Sequence, residues 1–408
     1  MPDDDSRFVI IGGGLAGAKA AETLRAEGFT GAIALIGDEL ERPYERPPLS
    51  KGYLLGTEER DKAFVHPRKW YAEQRIDLQT GTPVTALRPG EHEVELPGGQ
   101  RLDYRKLLLV TGARVRRLDV PGAGLPGVYY LRRIEDADAL RAVLVEGARV
   151  VVIGGGWIGL EVAAAARRHG AEVALVTLDP PLERVLGPEV APVFADLHTE
   201  HGVRLHVGRG VETIAAADGH VAGVVFDNGD ALDCGVVVIG IGVIPVTELA
   251  EQAGLEVDDG VLVDAALRTS DPDVYAAGDV ANATHPLLGV RIRVEHWANA
   301  LNGGPAAARS MLGQEVSYDR LPYFFSDQYD LGMEYTGHAP PGSYDQVVFR
   351  GDVRGREFLA FWLSDGRVRA GMNVNIWGVT DDIQRLIRSG EVLDPSRLGD
   401  PRVPLAEL

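Results

Sequence analysis

The glycine spacing G-x-G-x-x-G occurs twice in this chain, and the first copy has the full context of a dinucleotide-binding unit. A short apolar run precedes the glycines, a helix rich in Ala and Leu is expected after them, and a second apolar run ends in acidic residues about twenty positions further on. These parts are, in order, Phe8 to Ile11, the glycines Gly12, Gly14 and Gly17, the helix Leu15 to Glu27, the run Ile33 to Ile36, and the acids Asp38 and Glu39. Such glycines let the backbone approach a pyrophosphate, the helix N-terminus offers free N–H groups, and the acid can bind a ribose hydroxyl.

The second copy repeats this plan in the middle of the chain. It comprises the strand Arg149 to Ile153, the glycines Gly154, Gly156 and Gly159, the helix Ile158 to His169, the strand Glu172 to Val176, and a later buried strand, Val236 to Gly240. Two copies of one plan predict two dinucleotide sites in one protein. A duplication in which one site is no longer functional is the alternative at this point.

The composition limits both the partners and the chemistry. The chain has 408 residues and a net charge of −19, which disfavours nucleic acid and anionic membranes as partners. No apolar run reaches membrane-spanning length and the N-terminus is acidic, so a cytoplasmic location is expected. The single cysteine, Cys234, excludes an intrachain disulfide and a C-x-x-C redox pair. His198 and His201 are interpreted as part of a polar helix face, and we expect no metal site.

The segment after the first unit carries a resemblance to a known family. Residues Arg46 to Lys51 have the sequence RPPLSK, whose prolines predict a rigid turn. Together with the first glycine turn and the sequence GDE ending at Glu39, this segment resembles the FAD-dependent, NAD(P)H-oxidising ferredoxin reductases, which supply electrons to bacterial oxygenases. The resemblance extends over nearly the whole chain. It implies an α/β fold with two Rossmann-like dinucleotide-binding domains, as in glutathione-reductase-like flavoproteins, plus a C-terminal α+β domain.

The resemblance also implies how the chain is divided. We expect the FAD-binding domain in residues 1–115 and 241–318, the NAD(P)H-binding domain in 116–240, and the C-terminal α+β domain in 319–408. In the last segment, short runs with Gly and Asp-Gly turns precede a helix from Asp381 to Ser389. This pattern is typical of an antiparallel sheet with a terminal helix.

Two residues are predicted to be catalytic. The family places the lysine matching Lys51 beside the flavin. It places the acid matching Glu161, in the GLE sequence of the second glycine turn, near the nicotinamide, where it can pair with that lysine. Taken without the resemblance, Lys51 could be a solvated surface residue, and Glu161 could be an acid that only favours the helix macrodipole.

A second flavin contact is predicted where a strand from Val274 to Ala276 ends in Gly278 and Asp279. There an Asp can reach a ribityl hydroxyl while the backbone approaches the flavin. The family's residue matching Trp297 contacts the flavin through its backbone, just before a helix expected from about Ala298 to Leu312.

Further contacts come from the glycine turns, strand ends and crossovers. The family's adenine contact lies at the position of Val84, in a strand-like stretch, and Trp157 is either core filler or part of a cofactor wall. The residues predicted to bind cofactors are Gly12, Gly14, Leu15, Ala16, Gly17, Asp38, Glu39, Arg46, Lys51, Val84, Thr111, Gly112, Arg132, Gly154, Gly156, Trp157, Ile158, Gly159, Glu161, Thr177, Asp179, Arg184, Gly242, Gly278, Asp279, Glu295, His296 and Trp297.

The choice between NADH and NADPH depends on the residues that follow the strand Glu172 to Val176 in the second glycine unit. NADH-specific relatives carry Glu where this chain has Thr177, and the nearest acid is Asp179. A carboxylate at this place bonds the 2′-hydroxyl and repels a 2′-phosphate, whereas Arg184 could attract phosphate. We expect NADH to be preferred, with NADPH not excluded.

The predicted function is electron transfer from NADH through FAD to a ferredoxin that serves a haem monooxygenase or a ring-hydroxylating dioxygenase. The protein is expected to be a monomer or homodimer. A basic docking patch for the acidic ferredoxin is predicted from Arg114, Arg116, Arg117, Arg291 and Arg293. The alternatives are an NADH-binding flavoprotein of the apoptosis-inducing-factor type, and an oxidase, peroxidase or disulfide reductase on the same fold. The peroxidases and disulfide reductases need a reactive cysteine near the flavin, and Cys234 is not placed for that role.

Overall fold

The computed structural model describes residues 6–408, and the chain forms two compact units. The first unit contains the chain up to Glu45, Arg60–Arg114 and Val243–Pro322. The second contains Arg46–Glu59, Val115–Gly242 and Tyr323–Leu408. Each unit is therefore assembled from segments that are far apart in sequence, and the division into three functional domains stays a prediction.

The first unit is built around a five-stranded parallel sheet. Its strands lie in the order Val274–Ala276, Lys106–Leu109, Arg7–Ile11, Ala32–Ile36 and Ile76–Gln79. Val9, Ile10 and Leu108 are fully buried, as expected for central parallel strands that are covered on both faces. The helices of this unit are Leu15–Ala26, Arg68–Glu73, Glu248–Gln252 and Trp297–Met311.

Two smaller sheets complete the first unit. One is antiparallel and contains Ala86–Arg88, Glu93–Glu95 and Arg101–Asp103. The other is mixed and contains Val261–Val263, Ala281–His285 and Val290–Arg293. The short strands Ala113–Val115 and Val243–Pro245 lie where the chain changes from one unit to the other.

The second unit repeats the parallel sheet of the first. Its strands lie in the order Arg204–Val207, Glu172–Thr177, Arg149–Ile153, Val236–Ile239 and Val128–Tyr129. The segment between the strands Arg204–Val207 and Val236–Ile239 forms an antiparallel sheet. Its strands are Val211–Ala217, His220–Phe226 and Ala231–Asp233. The helices are Gly52–Leu55, Ile134–Val143, Trp157–Arg168, Glu183–Leu186 and Ala191–Glu200.

The C-terminal part of the second unit is a five-stranded antiparallel sheet. Its strands lie in the order Tyr323–Gln328, Leu331–Gly337, Arg367–Val374, Glu357–Ser364 and Gln346–Asp352, and the helices Thr380–Ser389 and Pro395–Gly399 follow. Trp362 is fully buried, and its indole Nε1 donates a hydrogen bond of 3.1 Å to the carbonyl of Leu186. This bond ties the sheet to the short helix that follows the second nucleotide-binding strand.

These sheets confirm the predicted fold class of two Rossmann-like units and a C-terminal α+β part. Two predicted helices begin one residue earlier than expected, at Trp157 and Trp297. The reason is local, because Gly156 and His296 keep an extended backbone and act as the N-caps. Among residues 6–408, none of the helices combines the length and the apolar character that a membrane crossing requires.

Two interpretations of single residues are wrong. Val84 lies outside a strand, two residues before Ala86–Arg88, where the preceding Pro83 has no N–H for a ladder. Its side chain is partly buried against the core of the first unit. His198 does not lie on a polar helix face, because its side chain is completely buried in the second unit.

The glycines of the two turns differ in what surrounds them. In the second turn, a Cβ atom on Gly159 would lie 2.2 Å from the carbonyl oxygen of Gly154, whereas a Cβ on Gly156 would meet no heavy atom within 4 Å. The first turn repeats this contrast, with 2.3 Å at Gly17 and open space at Gly14. The last glycine of each motif is thus required by helix–strand packing, and the middle one leaves space open.

We expect Gly159→Ala to lower the free energy of unfolding by about 1–3 kcal/mol, because the new methyl group overlaps a backbone carbonyl. Gly156→Ala is the matched control, and its free energy of unfolding should stay within about 1 kcal/mol of the parent, since only an N-cap preference changes. Urea unfolding without added nicotinamide coenzyme measures both. Equal destabilisation by the two substitutions would contradict this assignment.

Candidate functional site

The first glycine turn in the structure has the geometry of a phosphate-binding turn. Gly12 has φ +129, and a Cβ there would lie 2.0 Å from the carbonyl oxygen of Val110, so the sharp turn requires glycine. Leu15, Ala16 and Gly17 form the first turn of the helix, whose leading N–H groups have no partner within the helix. The space at Gly14 next to these groups is open, a helix N-terminus of this kind suits a diphosphate, and the contact with FAD stays a prediction.

The acids predicted for the first ribose follow the strand Ala32–Ile36 directly. Asp38 is exposed at this strand end, and Glu39 accepts a hydrogen bond from the hydroxyl of Tyr44. An exposed carboxylate at the carboxyl end of the second strand is placed to bind ribose hydroxyls.

The predicted flavin contacts of Gly278 and Asp279 also lie in the first unit. Gly278 has φ +72 and lies two residues after the end of the strand Val274–Ala276. His296 caps the helix that begins at Trp297, and the Trp297 indole donates a hydrogen bond of 3.1 Å to Glu45. The structure therefore supplies a helix N-terminus here, whose N–H groups favour negative charge, and contact with the flavin stays a prediction.

The crossover residues make main-chain contacts. The Thr111 hydroxyl donates to the carbonyl of Val246 at 2.7 Å, and Val246 N–H donates to the carbonyl of Gly112 at 3.0 Å. Gly242 accepts a hydrogen bond of 2.9 Å from Arg116 N–H. These bonds give Thr111, Gly112 and Gly242 a structural role in the crossover; contact with a cofactor stays a prediction.

The second glycine turn opens the helix Trp157–Arg168. Ile158 is exposed in its first turn, while the Trp157 ring packs edge-on against Phe194, with ring centroids 5.4 Å apart, and at 5.1 Å from Phe324. Of the two interpretations of Trp157, aromatic packing within the second unit is therefore observed, and a contact with a coenzyme stays a prediction.

The strand end at Thr177 differs from the first one. The Thr177 hydroxyl donates a hydrogen bond of 2.8 Å to the carbonyl of Asp179. The Asp179 carboxylate forms an ion pair with Arg184. Leu182 N–H donates 2.9 Å to the carbonyl of Gly155, which folds this segment over the glycine turn. Thr177 thus occupies the strand end where the acid of an NADH site is expected, and the ion pair of Asp179 and Arg184 follows it.

Glu161 is the centre of a buried polar cluster in the second unit. Its side chain is only 3% exposed, and three donors reach its carboxylate. Lys51 Nζ lies 2.5 Å from Oε1, Ser326 Oγ donates to Oε1 at 2.7 Å, and Ser50 Oγ donates to Oε2 at 2.5 Å. The predicted pair of Lys51 and Glu161 is therefore brought together. A buried carboxylate requires compensation of this kind.

Lys51 is held from two sides. Besides the carboxylate, the Phe325 ring lies with its centroid 5.2 Å from Nζ. Arg46, five residues before Lys51, donates to the carbonyl of Arg132, whose N–H in turn donates 2.9 Å to Asp136. These contacts of Arg46 and Arg132 anchor the segment that carries Lys51.

Sequence reasoning missed four members of this cluster as site residues. Ser50 and Ser326 donate to Glu161, Gln328 donates 3.0 Å to Ser326, and His198 lies 2.8 Å from Gln328. One signal was present, because residues two apart on a strand point to the same face, as Ser326 and Gln328 do. No pattern in the sequence brings residue 198 to this strand.

Most of the predicted basic docking patch is already engaged within the protein. Arg114 forms an ion pair with Glu248, and Arg291 donates to the carbonyls of Val263 and Asn282. Arg293 has a side chain only 12% exposed and pairs with Asp259 and Glu295. Arg116 and Arg117 are exposed. The compensated charges of Arg114 and Arg293 contribute little to an attractive field for an acidic protein.

Cys234 is buried, and its burial raises the pKa of the thiol to about 11. A thiol of this kind is not nucleophilic near neutral pH. Within residues 6–408, no group of three or more His, Cys, Asp or Glu side chains is arranged to hold a metal ion.

The chain is similar to known proteins over its full length. The family model for pyridine nucleotide-disulphide oxidoreductases matches residues 6–304, and the model for the reductase C-terminal domain matches residues 323–408. The ferredoxin–NAD(+) reductase component of the anthranilate 1,2-dioxygenase system from Burkholderia cepacia is 44% identical over 403 residues, 98% of each chain. Rhodocoxin reductase from Rhodococcus erythropolis is 43% identical over 350 residues, 84% of this chain and 82% of that protein. The reductase in the covalent putidaredoxin reductase–putidaredoxin complex superposes with a TM-score of 0.94 at 37% identity, covering 99% of this chain and 98% of that one.

The buried His198 makes the stability of the second unit depend on pH. Burial lowers the pKa of His198 to about 4, whereas an unfolded histidine has a pKa of about 6.5. As the pH falls from 6.5 to 4, the unfolded chain binds a proton that the folded chain does not, so the free energy of unfolding decreases. This loss amounts to about 2 kcal/mol at pH 5 and falls below about 0.1 kcal/mol at pH 7.5.

His198→Gln keeps an N–H donor in place but does not titrate. The difference in free energy of unfolding between the parent and this variant should therefore shift by about 2 kcal/mol against the parent between pH 7.5 and pH 5. Carboxylates that titrate in both proteins cancel in the difference. Urea unfolding at the two pH values measures it, and a difference that does not change with pH would show that His198 titrates in the folded state as it does in the unfolded chain.

Proposed function

Because this chain belongs to the pyridine nucleotide-disulphide oxidoreductase family and, within it, to the ferredoxin–NAD(P)+ reductases, we propose that it transfers electrons from NADH through FAD to the ferredoxin of an oxygenase system. Membership confirms the predicted enzyme class and the use of FAD and NAD(P)H. One relative is the reductase component of the anthranilate 1,2-dioxygenase system. A ferredoxin is accordingly the proposed electron acceptor.

The observation that carries this proposal is the pair of open glycine turns together with the buried Lys51–Glu161 pair. Gly14 and Gly156 each leave space for a diphosphate next to a helix N-terminus. Bound FAD supplies the redox chemistry that joins the two-electron oxidation of NADH to one-electron reduction of ferredoxin. The protein itself contributes binding, orientation and charge, and no sulfur relay is available, since the buried Cys234 is the single cysteine.

We assign Lys51 the task of presenting a fixed positive charge to the flavin. The Glu161 carboxylate, 2.5 Å from Nζ, fixes the ammonium group in one position. Ser50 and Ser326 donate to the same carboxylate and so hold it in one orientation. A group placed in this way favours negative charge that develops nearby without any reorganisation of its own.

We further propose that the enzyme works in the cytoplasm, where NADH is available to it.

The purified protein should be yellow, NADH should bleach its visible spectrum under anaerobic conditions, and added ferredoxin should support reduction of cytochrome c. The same mixture without ferredoxin is the control, and it should reduce cytochrome c slowly. A colourless preparation that binds no FAD would overturn the proposal. Bleaching followed by no transfer to any ferredoxin would instead favour a flavoprotein that signals by binding NADH.

Gly156→Ala should raise the KM for NADH by about tenfold, because the methyl group occupies the space next to the helix N-terminus where the diphosphate binds. The FAD content should not change. Steady-state kinetics with a saturating acceptor measure the KM, and an unchanged value would place the coenzyme elsewhere.

Coenzyme preference should respond to the ion pair of Asp179 and Arg184. We expect the parent to prefer NADH, and Arg184→Glu to raise the NADH-to-NADPH ratio of kcat/KM by about tenfold, since a second carboxylate repels the 2′-phosphate. Asp179→Ala releases the guanidinium and should shift the ratio toward NADPH. If both variants keep the parent's NADH-to-NADPH ratio of kcat/KM, the loop with Asp179 and Arg184 does not distinguish the 2′-hydroxyl from the 2′-phosphate.

A further inference from the structure

A row of buried side chains leads away from Glu161 on the side opposite to Lys51. Ser326 Oγ lies 2.7 Å from the carboxylate, Gln328 Nε2 lies 3.0 Å from Ser326 Oγ, and His198 Nε2 lies 2.8 Å from Gln328 Oε1. All four side chains are buried, and their exposed fractions are 4% or less. The row joins three segments of the second unit that are far apart in sequence: the helix Trp157–Arg168, the helix Ala191–Glu200 and the strand Tyr323–Gln328.

The direction of every hydrogen bond in the row follows from chemistry. An ionised carboxylate can only accept, so the Ser326 hydroxyl donates to Glu161. The Ser326 oxygen then accepts from the amide nitrogen of Gln328, which turns the amide oxygen toward His198. The His198 ring must therefore donate from Nε2, which both the neutral ring protonated on Nε2 and the imidazolium can do. The Tyr329 hydroxyl lies 3.5 Å from Nδ1, where it can donate to the neutral ring. Burial lowers the pKa of this histidine to about 4 and so selects the neutral form.

We propose that His198 and Gln328 are positioning residues for the Lys51–Glu161 pair, because together they force the Ser326 hydroxyl to point its proton at the Glu161 carboxylate. A serine hydroxyl can rotate freely and can donate to any acceptor in reach. With its oxygen occupied by the Gln328 amide, the remaining direction for the proton is toward Glu161. This role rests on the proposed function of the pair and extends it to residues that touch neither cofactor nor substrate.

The row does not conduct protons. An amide group interrupts it, and a proton cannot pass through Gln328 without an unfavourable change of tautomer. Fixing the orientation of the carboxylate is the function left to it. The desolvation of four polar groups is unfavourable, and apolar side chains of the same size would pack equally well.

The inference is tested with the complete, FAD-containing protein and three substitutions. His198→Gln keeps a donor at the place of Nε2, His198→Leu removes it at similar volume, and Gln328→Glu replaces the donor to Ser326 by an acceptor. FAD content and melting temperature are recorded first, and rapid-mixing measurements then separate the limiting rate of flavin reduction from the apparent Kd for NADH.

We expect His198→Leu to lower the limiting rate by about tenfold with little change in the apparent Kd, because the carboxylate is no longer held in one orientation. His198→Gln should retain the parent rate, and Gln328→Glu should be slower than His198→Leu, since it turns the Ser326 proton away from Glu161. A parental rate in His198→Leu, or an equal loss in both His198 variants, overturns the proposal. If His198→Leu does not fold, Ser326→Ala takes its place: a loss of rate supports the proposal, and a parental rate overturns it.

A second measurement does not depend on activity. In protein labelled with ¹⁵N in its histidines, His198 should carry its proton on Nε2 and should not change between pH 5.5 and pH 8, where an ordinary histidine with a pKa of about 6.5 titrates. A proton on Nδ1, or a titration in this interval, overturns the proposal. If the parent transfers electrons to ferredoxin while this measurement fails, the positioning role is wrong and the proposed function stands.

Discussion

The burial of the Glu161 carboxylate is the constraint on which the packing of the second unit depends. Glu161 is buried, and its charge is compatible with burial only because Ser50, Lys51 and Ser326 reach it from two other parts of the chain. This explains why the short segment Arg46–Glu59 belongs to the second unit, although it follows the first nucleotide-binding strands in sequence. Loss of any one donor leaves the charge less compensated, so the cluster binds three segments into one structure.

The sequence predicted well those features that depend on neighbours along the chain. The two glycine turns, their helices and the strand that ends at Gly278 follow from spacing and periodicity, and they were placed to within one or two residues. The pairing of Lys51 with Glu161 was expected only from the family resemblance. Their side chains are 110 residues apart in sequence, and no local pattern connects them.

Predictions failed where the outcome depends on distant packing. His198 has the spacing of an ordinary polar helix residue, but the strand Tyr323–Gln328 covers it and supplies Gln328 as its partner. For the predicted basic patch, the fold pairs Arg293 with Asp259 and Glu295, which the sequence does not show, and the place where a ferredoxin binds stays a prediction. The number and spacing of charged residues can be taken from the sequence. Which of these residues form ion pairs with each other in the folded protein cannot.

The two nucleotide turns share one backbone plan and differ at the strand end. Gly13 of the first turn approaches Gly37, while the equivalent Gly155 approaches Thr177 and Pro181. The segment after Thr177 is fixed along its length, since Leu182 bonds to Gly155 and the carbonyl of Leu186 accepts from Trp362. A loop anchored at these points tolerates few insertions or deletions. In the divergence of this lineage, changes of coenzyme would therefore arise by exchange of single side chains in a loop of constant length.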